Sequence, residues 1–176
     1  MRDPTAMIYA TCSRHFYRET HEHLVRWHKE VAVDDAMRVV SGAIIREDRG
    51  VKRVLLGQRR SGGSYPLLWC TLGGKVEEGE TDLQALDREL WEEARAQIHA
   101  PWKVLYEHEG TSVTTGKPFR LTCFVTPVTS GEAREAGLRP MDGIIGIGWF
   151  TAHEVMHLHL AAGDDANREK LIEVLR

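Results

Sequence analysis

The sequence predicts an α/β (α+β) fold, a mixed β-sheet flanked by helices, in one domain running from about residue 37 to the end. Three observations predict it. Strand-like runs fill most of the chain, with one long helix among them and shorter helices at the end. The 176 residues suit a single domain with a real core. And residues 67–98 join a strand, two glycines, an acidic loop and a helix into one unit around which the rest is organised.

Taken in order, residues 1–36 form an N-terminal extension. Met7 to Thr11 suits a short strand, and Arg18 to Val31 has helical spacing through Leu24, Trp27 and Val31. The extension packs on the domain, covers it as a lid, or serves as a dimer arm. Arg38 to Ile45 and Arg53 to Gln58 read as a hairpin turned at Asp48-Arg49-Gly50. Ser61-Gly62-Gly63-Ser64 is a flexible loop, closed by Tyr65-Pro66. A strand from Leu67 to Leu72 follows.

The helix starts at Thr81, whose pairing with Gln84 three residues on is a capping box, with Asp82 favourable in the first turn. Leu83, Leu86, Leu90, Ala94 and Ile98 form the expected buried stripe. Glu89, Glu92 and Glu93 share a face pointing away from it. Pro101 stops the helix, which is expected to run through Arg95, Ala96 and Gln97. Trp102 to His108, Phe119 to Val128 and Ile144 to Phe150 read as strands. A turn-rich segment joins the first two, and the polar stretch Ser130 to Gly143 precedes the third. Thr151 with Glu154 marks a helix start, and Leu171, Ile172 and Leu175 face inward from a last short helix after Asp164 and Asp165.

Composition excludes several classes. A net charge of -3 gives no basic footprint for polymeric nucleic acid. There is no apolar run of membrane-spanning length and no apolar core of a secretory signal at the start. Cys12, Cys70 and Cys123 are odd in number and form no Cys-x-x-Cys pair, which suits a reducing, cytoplasmic setting. His21, His23, His157 and His159 lack a third ligand nearby and read as surface residues.

The chemistry concentrates on the helix. Three carboxylates at i, i+3 and i+4 repel unless something neutralises them. A divalent cation does so: Mg²⁺, or Mn²⁺, takes hard oxygen ligands and is shared between carboxylates and substrate phosphates. Arg88 can hold one carboxylate while the metal takes the others. Against this stands an ordinary solvated Glu/Arg helix face.

The whole stretch is more specific than its acids. Gly74, Glu80, Arg88-Glu89-Leu90 and Glu92-Glu93 follow the spacing Gly-x5-Glu-x7-Arg-Glu-U-x-Glu-Glu, where U is aliphatic. This resembles the signature of the Nudix hydrolases. Arg95 departs from it, standing where the family has glycine. The resemblance covers roughly Arg38 to Arg176 and implies a Nudix-type α/β/α sandwich. It also implies Mg²⁺-dependent hydrolysis of a phosphoanhydride, with metals held by Glu89, Glu92, Glu93 and the carbonyl of Gly73. Glu80 is then a supporting acid, Arg88 orients a glutamate, and Asp142 is the candidate acid from a later loop, with Glu132 and Glu135 behind it.

The run from Leu68 to Glu77 is similar to the MutT-like branch, which hydrolyses nucleoside triphosphates to monophosphate and pyrophosphate and cleanses the nucleotide pool. A small nucleotide, with an oxidised or modified purine, is the implied substrate. Arg59 and Arg60 either hold phosphates, together with Lys75, or are surface charges that aid solubility. Asn167 either reads the base or caps the last helix. Trp69 and Trp149 either stack on a base or pack in the core. Other nucleoside diphosphate derivatives stay open as substrates: ADP-ribose, a dinucleotide polyphosphate or a nucleotide sugar. So do a catalytically silent nucleotide-binding module and a homodimer.

Overall fold

Strand β1 (Met37–Asp48) and strand β2 (Val51–Arg59) form the expected hairpin, turned at Arg49 and Gly50, both at positive φ. The computed structural model describes residues 36–129, 131–132 and 137–176. The chain divides into two units, Met1–Ala36 and Met37–Arg176, and the sheet, its helices and the site all belong to the second. The strand and helix expected before residue 36, with Cys12, His21 and His23, lie outside the described residues, as does Glu135.

The two hairpin strands pair only over Ile45–Asp48 and Val51–Val54, then diverge. The gap is filled by two short pieces: β3 (Trp69–Cys70) joins β2, and β4 (Leu72–Lys75) joins β1. The single strand expected over Leu67 to Leu72 is therefore broken at Thr71, where the chain crosses from one neighbour to the other. Leu67 lies before it at φ 62 and is exposed. Strand β5 (Lys103–Thr111) and strand β6 (Pro118–Val128) extend the sheet beyond β1, with β6 parallel to β1. Strand β7 (Ile144–Phe150) pairs with β2. The sheet is mixed, as expected.

Alternation along the strands makes two cores. Val40, Ile44, Leu55 and Phe124 face one side, against helix α1 (Asp82–Ala94). Ala43, Ile45, Val54, Leu56 and Cys123 face the other. There they meet α2 (Ala152–His157) through Val155 and α4 (Arg168–Val174) through Leu171 and Ile172. A five-residue helix, α3 (Ala162–Ala166), lies between those two in sequence. This is the α/β/α sandwich. Leu86 and Leu90, both fully buried, tie α1 down with roughly 2 kcal/mol each.

Both expected capping boxes are present, Thr81 with Gln84 and Thr151 with Glu154. Two expectations for α1 are corrected. Leu83 is 44 % exposed and Ala85 takes the buried place beside Leu86. And the helix does not run past Arg95. It stops at Ala94, with Arg95 in the left-handed region at φ 53, ψ 28. The Arg95 amide reaches back to the Trp91 carbonyl, which is the αL closure, and the Ala96 amide reaches the Leu90 carbonyl. An arginine thus performs the backbone turn usually given to glycine. Its guanidinium lies 4.7 Å over the Trp91 ring, and its Nε is 3.1 Å from Met141 Sδ.

Candidate active site

The site is built where β4 meets α1. Gly73 and Gly74 lie at the edge of β1, and no side chain fits at either. A Cβ on Gly73 would stand 2.1 Å from the Val40 carbonyl, and one on Gly74 would stand 2.4 Å from the Glu89 carboxyl. With φ at 152°, Gly73 turns its amide toward the helix and donates to Glu93 Oε2 at 2.8 Å.

Arg88 organises the acids. Its Nε and Nη2 grip Glu80 Oε1 and Oε2 at 2.8 and 3.0 Å. Nη1 reaches Glu89 Oε1 at 2.9 Å and Glu92 Oε2 at 3.3 Å, while Nη2 also donates to the Lys75 carbonyl at 2.8 Å. One planar guanidinium thus ties the glycine strand, the acidic loop and the helix together. It holds the Glu80 carboxyl down to about 2, helped by the Glu77 amide.

The three helix acids do not share one environment. Glu93 is buried, and burial pushes its carboxyl up to about 7 against the pull of the Gly73 amide. Glu89 is half-buried and also shifted up, first by burial and against the pull of Arg88. Glu92 is exposed and leans on Arg88 outside the cleft wall. The expectation of one outward acidic face is corrected accordingly: Glu93 points in, under the sheet edge.

A cleft of about 440 Å³ opens above Glu89 and Glu93. One end carries these two acids with Gly73, Gly74 and Lys75. The other, across β1, is lined by Phe119 and Leu121 of β6 and by the hydroxyl-bearing turn Ser112–Thr115. Arg59 also lines it, its Nε donating to the Ser64 carbonyl at 2.8 Å.

Other sequence candidates fall elsewhere. Arg60 is exposed and not in the cleft wall. Trp69 faces away from it, edge-on to Phe150 at 4.7 Å, because side chains alternate along β3 and Cys70 takes the cleft side. Trp149 packs against the first core under Arg46. Asn167 stands at the start of α4 without capping it, since its Nδ2 donates back to the Gly163 carbonyl at 2.9 Å. Asp142 is exposed at φ 31, yet its charge helps raise Glu93. His157 and His159 are exposed, and Cys70 and Cys123 are buried free thiols.

The cleft contains residues that the sequence did not single out: Tyr65, Phe119, Thr71 and the buried Asp164. An acid pair at a helix start gives no signal of burial. Only the small residues before it, Ala161-Ala162-Gly163, are compatible with a close fit there.

No three His, Cys, Asp or Glu side chains converge into a closed metal cage among the described residues. The donors present still fit a cation shared with substrate. Glu89 Oε2 and Glu93 Oε1 have no protein partner among the described residues, and both are hard oxygens. Mg²⁺ binds through one or two carboxylates plus phosphates and waters, so a complete protein cage is not required.

Fold and site together define the class: hydrolases that cut phosphoanhydrides beside a carboxylate-bearing helix. The chain belongs to the Nudix family, whose NUDIX domain model matches residues 36–174. Nudix hydrolases act on nucleotide derivatives and generally use divalent metal ions. Solved structures of the same fold include the NUDIX domain of Shewanella oneidensis NrtR complexed with ADP ribose, at 19% identity and TM-score 0.64, covering 80% of this chain and 89% of that one. A C. elegans Ap4A hydrolase binary complex aligns at 19% identity and TM-score 0.62, over 80% and 98%. A MutT NUDIX hydrolase from Burkholderia pseudomallei aligns at 21% identity and TM-score 0.62, over 77% and 98%. No curated protein sequence matches the chain. No helix among the described residues is long and apolar enough to cross a membrane.

Proposed function

We propose that the chain hydrolyses a nucleoside triphosphate, with Mg²⁺ or Mn²⁺, to the monophosphate and pyrophosphate. The observation that carries this reading is the polarity of the cleft. Its acidic end suits a metal–polyphosphate, and its single apolar, hydroxyl-rimmed end suits one nucleoside. Glu89 and Glu93, with the Gly73 carbonyl, would hold the metal, which would supply neutralisation of phosphate charge and activation of water. Glu92 supports them through Arg88.

The other steps fall to the protein. The Gly73 amide fixes the Glu93 rotamer, and Arg88 fixes Glu89. Arg59 and Lys75 bind phosphate oxygens at the cleft wall. A carboxylate beside the attacked phosphorus takes the proton of the water; Glu89 and Asp142 are the candidates. The Gly74–Glu93 signature supplies no covalent nucleophile, so water attacks directly. An oxidised or modified purine is the proposed base, and the setting is the cytoplasmic nucleotide pool.

A panel of nucleotides incubated with and without Mg²⁺, with products identified, tests the reading. Monophosphate plus pyrophosphate supports it. Diphosphate plus orthophosphate moves the cleavage site. Turnover of ADP-ribose, a dinucleotide polyphosphate or a nucleotide sugar alone replaces the substrate. No turnover of any compound leaves a binding module.

A further inference from the structure

The break between β3 and β4 falls at Thr71, and Thr71 is held by a residue 93 positions away. Its amide, which no sheet neighbour takes, donates to Asp164 Oδ2 at 2.9 Å. Its hydroxyl lies 2.8 Å from Asp164 Oδ1 and 2.9 Å from Ser41 Oγ. Tyr106 Oη donates to Asp164 Oδ1 at 2.6 Å. Asp164 is 4 % exposed and sits at the cleft floor. The segment before it is stapled to the same strand: Trp69 donates to the His159 carbonyl, and Ala161 donates to the Trp69 carbonyl.

Two residues beyond Thr71 is Gly73, whose amide sets Glu93. We propose that Asp164 is a positioning residue for the acidic end of the cleft: it pins the β3–β4 crossover at Thr71 and so fixes the Gly73 amide that orients Glu93. The inference rests on the metal-dependent reading above. The coupling is mechanical. Strand β4 has one sheet neighbour, β1, and β3 is two residues long. Neither ladder restrains the crossover itself, and a strand free to slide there would carry Gly73 with it. A carboxylate takes both donors of Thr71 at once.

The test uses the full chain and reads Mn²⁺ binding by EPR beside steady-state kinetics with Mg²⁺ and a nucleoside triphosphate. Asp164→Ala is expected to weaken Mn²⁺ about fivefold to tenfold, the size of one or two lost hydrogen bonds. It is expected to lower kcat with KM within about twofold, since the nucleoside end keeps its contacts. Asp164→Asn is expected to restore both. A turned carboxamide accepts from the Thr71 amide and donates to the Thr71 hydroxyl and Tyr106 Oη.

If Asp164→Ala does not fold, Thr71→Val carries the test. It removes the hydroxyl contacts to Asp164 and Ser41, keeps the amide bond to Asp164, and is expected to weaken Mn²⁺ about twofold to threefold. Unchanged Mn²⁺ affinity in the folded variants overturns the proposal, as does a KM rise that depends on the base. Failure of Asp164→Asn to rescue overturns it too. Wild-type protein that binds no Mn²⁺ at all overturns the metal reading and this inference with it, so the two failures are distinguishable.

Discussion

The Gly73 amide lies 2.8 Å from Glu93 Oε2, so the most buried of the three helix acids is oriented by main chain. The bond partly offsets desolvation, but burial still wins and holds the carboxyl up at about 7, against an ordinary 4.5. Glu93→Gln keeps an acceptor for the Gly73 amide and removes the charge. Turnover is expected to fall about 100-fold or more, because a carboxylate proposed to bear the metal is lost. Glu89→Gln is expected to behave alike, and Glu92→Gln, outside the cleft wall, to cost less. Mg²⁺-dependent kcat across the three variants checks the order.

The same carboxyl makes stability depend on pH. Its folded pKa is raised, so its contribution is fully present below the unfolded value of about 4.5 and is lost as pH rises through about 7. Metal-free wild type is therefore expected to lose roughly 3 kcal/mol from this group across that window. Glu93→Gln is expected to flatten the slope. Urea melts of both proteins at several pH values without metal read the difference directly. Parallel curves would mean that Glu93 is not the group responsible.

Arg88 spans Glu80, Glu89, Glu92 and the Lys75 carbonyl, a set that only a planar fork reaches. Lysine keeps the charge and loses the fork. Arg88→Lys is expected to lower kcat at least tenfold and stability by roughly 1–3 kcal/mol, with Glu89 and Glu80 released from their shared anchor. Kinetics and a denaturant melt on one preparation check both. Wild-type kcat in the lysine variant would show that the charge alone suffices.

Much of the fold was legible from residue order because local rules governed it. The two capping boxes, the Asp48-Arg49-Gly50 turn and the strand ending at Phe150 depend on neighbours in sequence. What was not legible depended on distant partners. Trp69 turned from the cleft because β3 is only two residues long and Cys70 holds the inner position. Asp164 looked like one half of an acidic pair, and nothing local announces that Thr71 and Tyr106 await it. Arg95 departs from expectation for another reason. Its helix propensity favours continuation, yet the αL-cap hydrogen bonds and the Trp91 contact outweigh that preference.

Arg95 therefore sits in strain that glycine would relieve. A left-handed non-glycine residue costs roughly 1–2 kcal/mol, partly offset by cation–π contact worth about 0.5–1 kcal/mol at an exposed ring. Arg95→Gly is expected to change stability by less than about 1 kcal/mol and to leave kcat within a few-fold. Arg95→Ala keeps the strain, loses the contact with Trp91, and is expected to be the least stable of the three. Denaturant midpoints rank them. Activity that returns only with glycine would give the arginine a role in catalysis that its position does not suggest.

Trp69 and Phe119 separate packing from binding. Both pack against the second core, but Trp69 lies edge-on to Phe150 outside the cleft wall, whereas Phe119 lies in the cleft wall with its ring over Gly110. An aromatic ring in the cleft can stack on a base, and one behind it cannot. Trp69→Ala is expected to destabilise the protein by roughly 2–4 kcal/mol with nucleotide KM within about twofold for the folded fraction. Phe119→Ala is expected to raise KM about tenfold, since base–aromatic stacking is worth roughly 1–3 kcal/mol, and to cost less stability than Trp69→Ala. The two readouts, a melt and a KM, move in opposite order for the two variants. If Trp69→Ala raises KM and Phe119→Ala does not, the base binds elsewhere, and the apolar end of the cleft is not its seat.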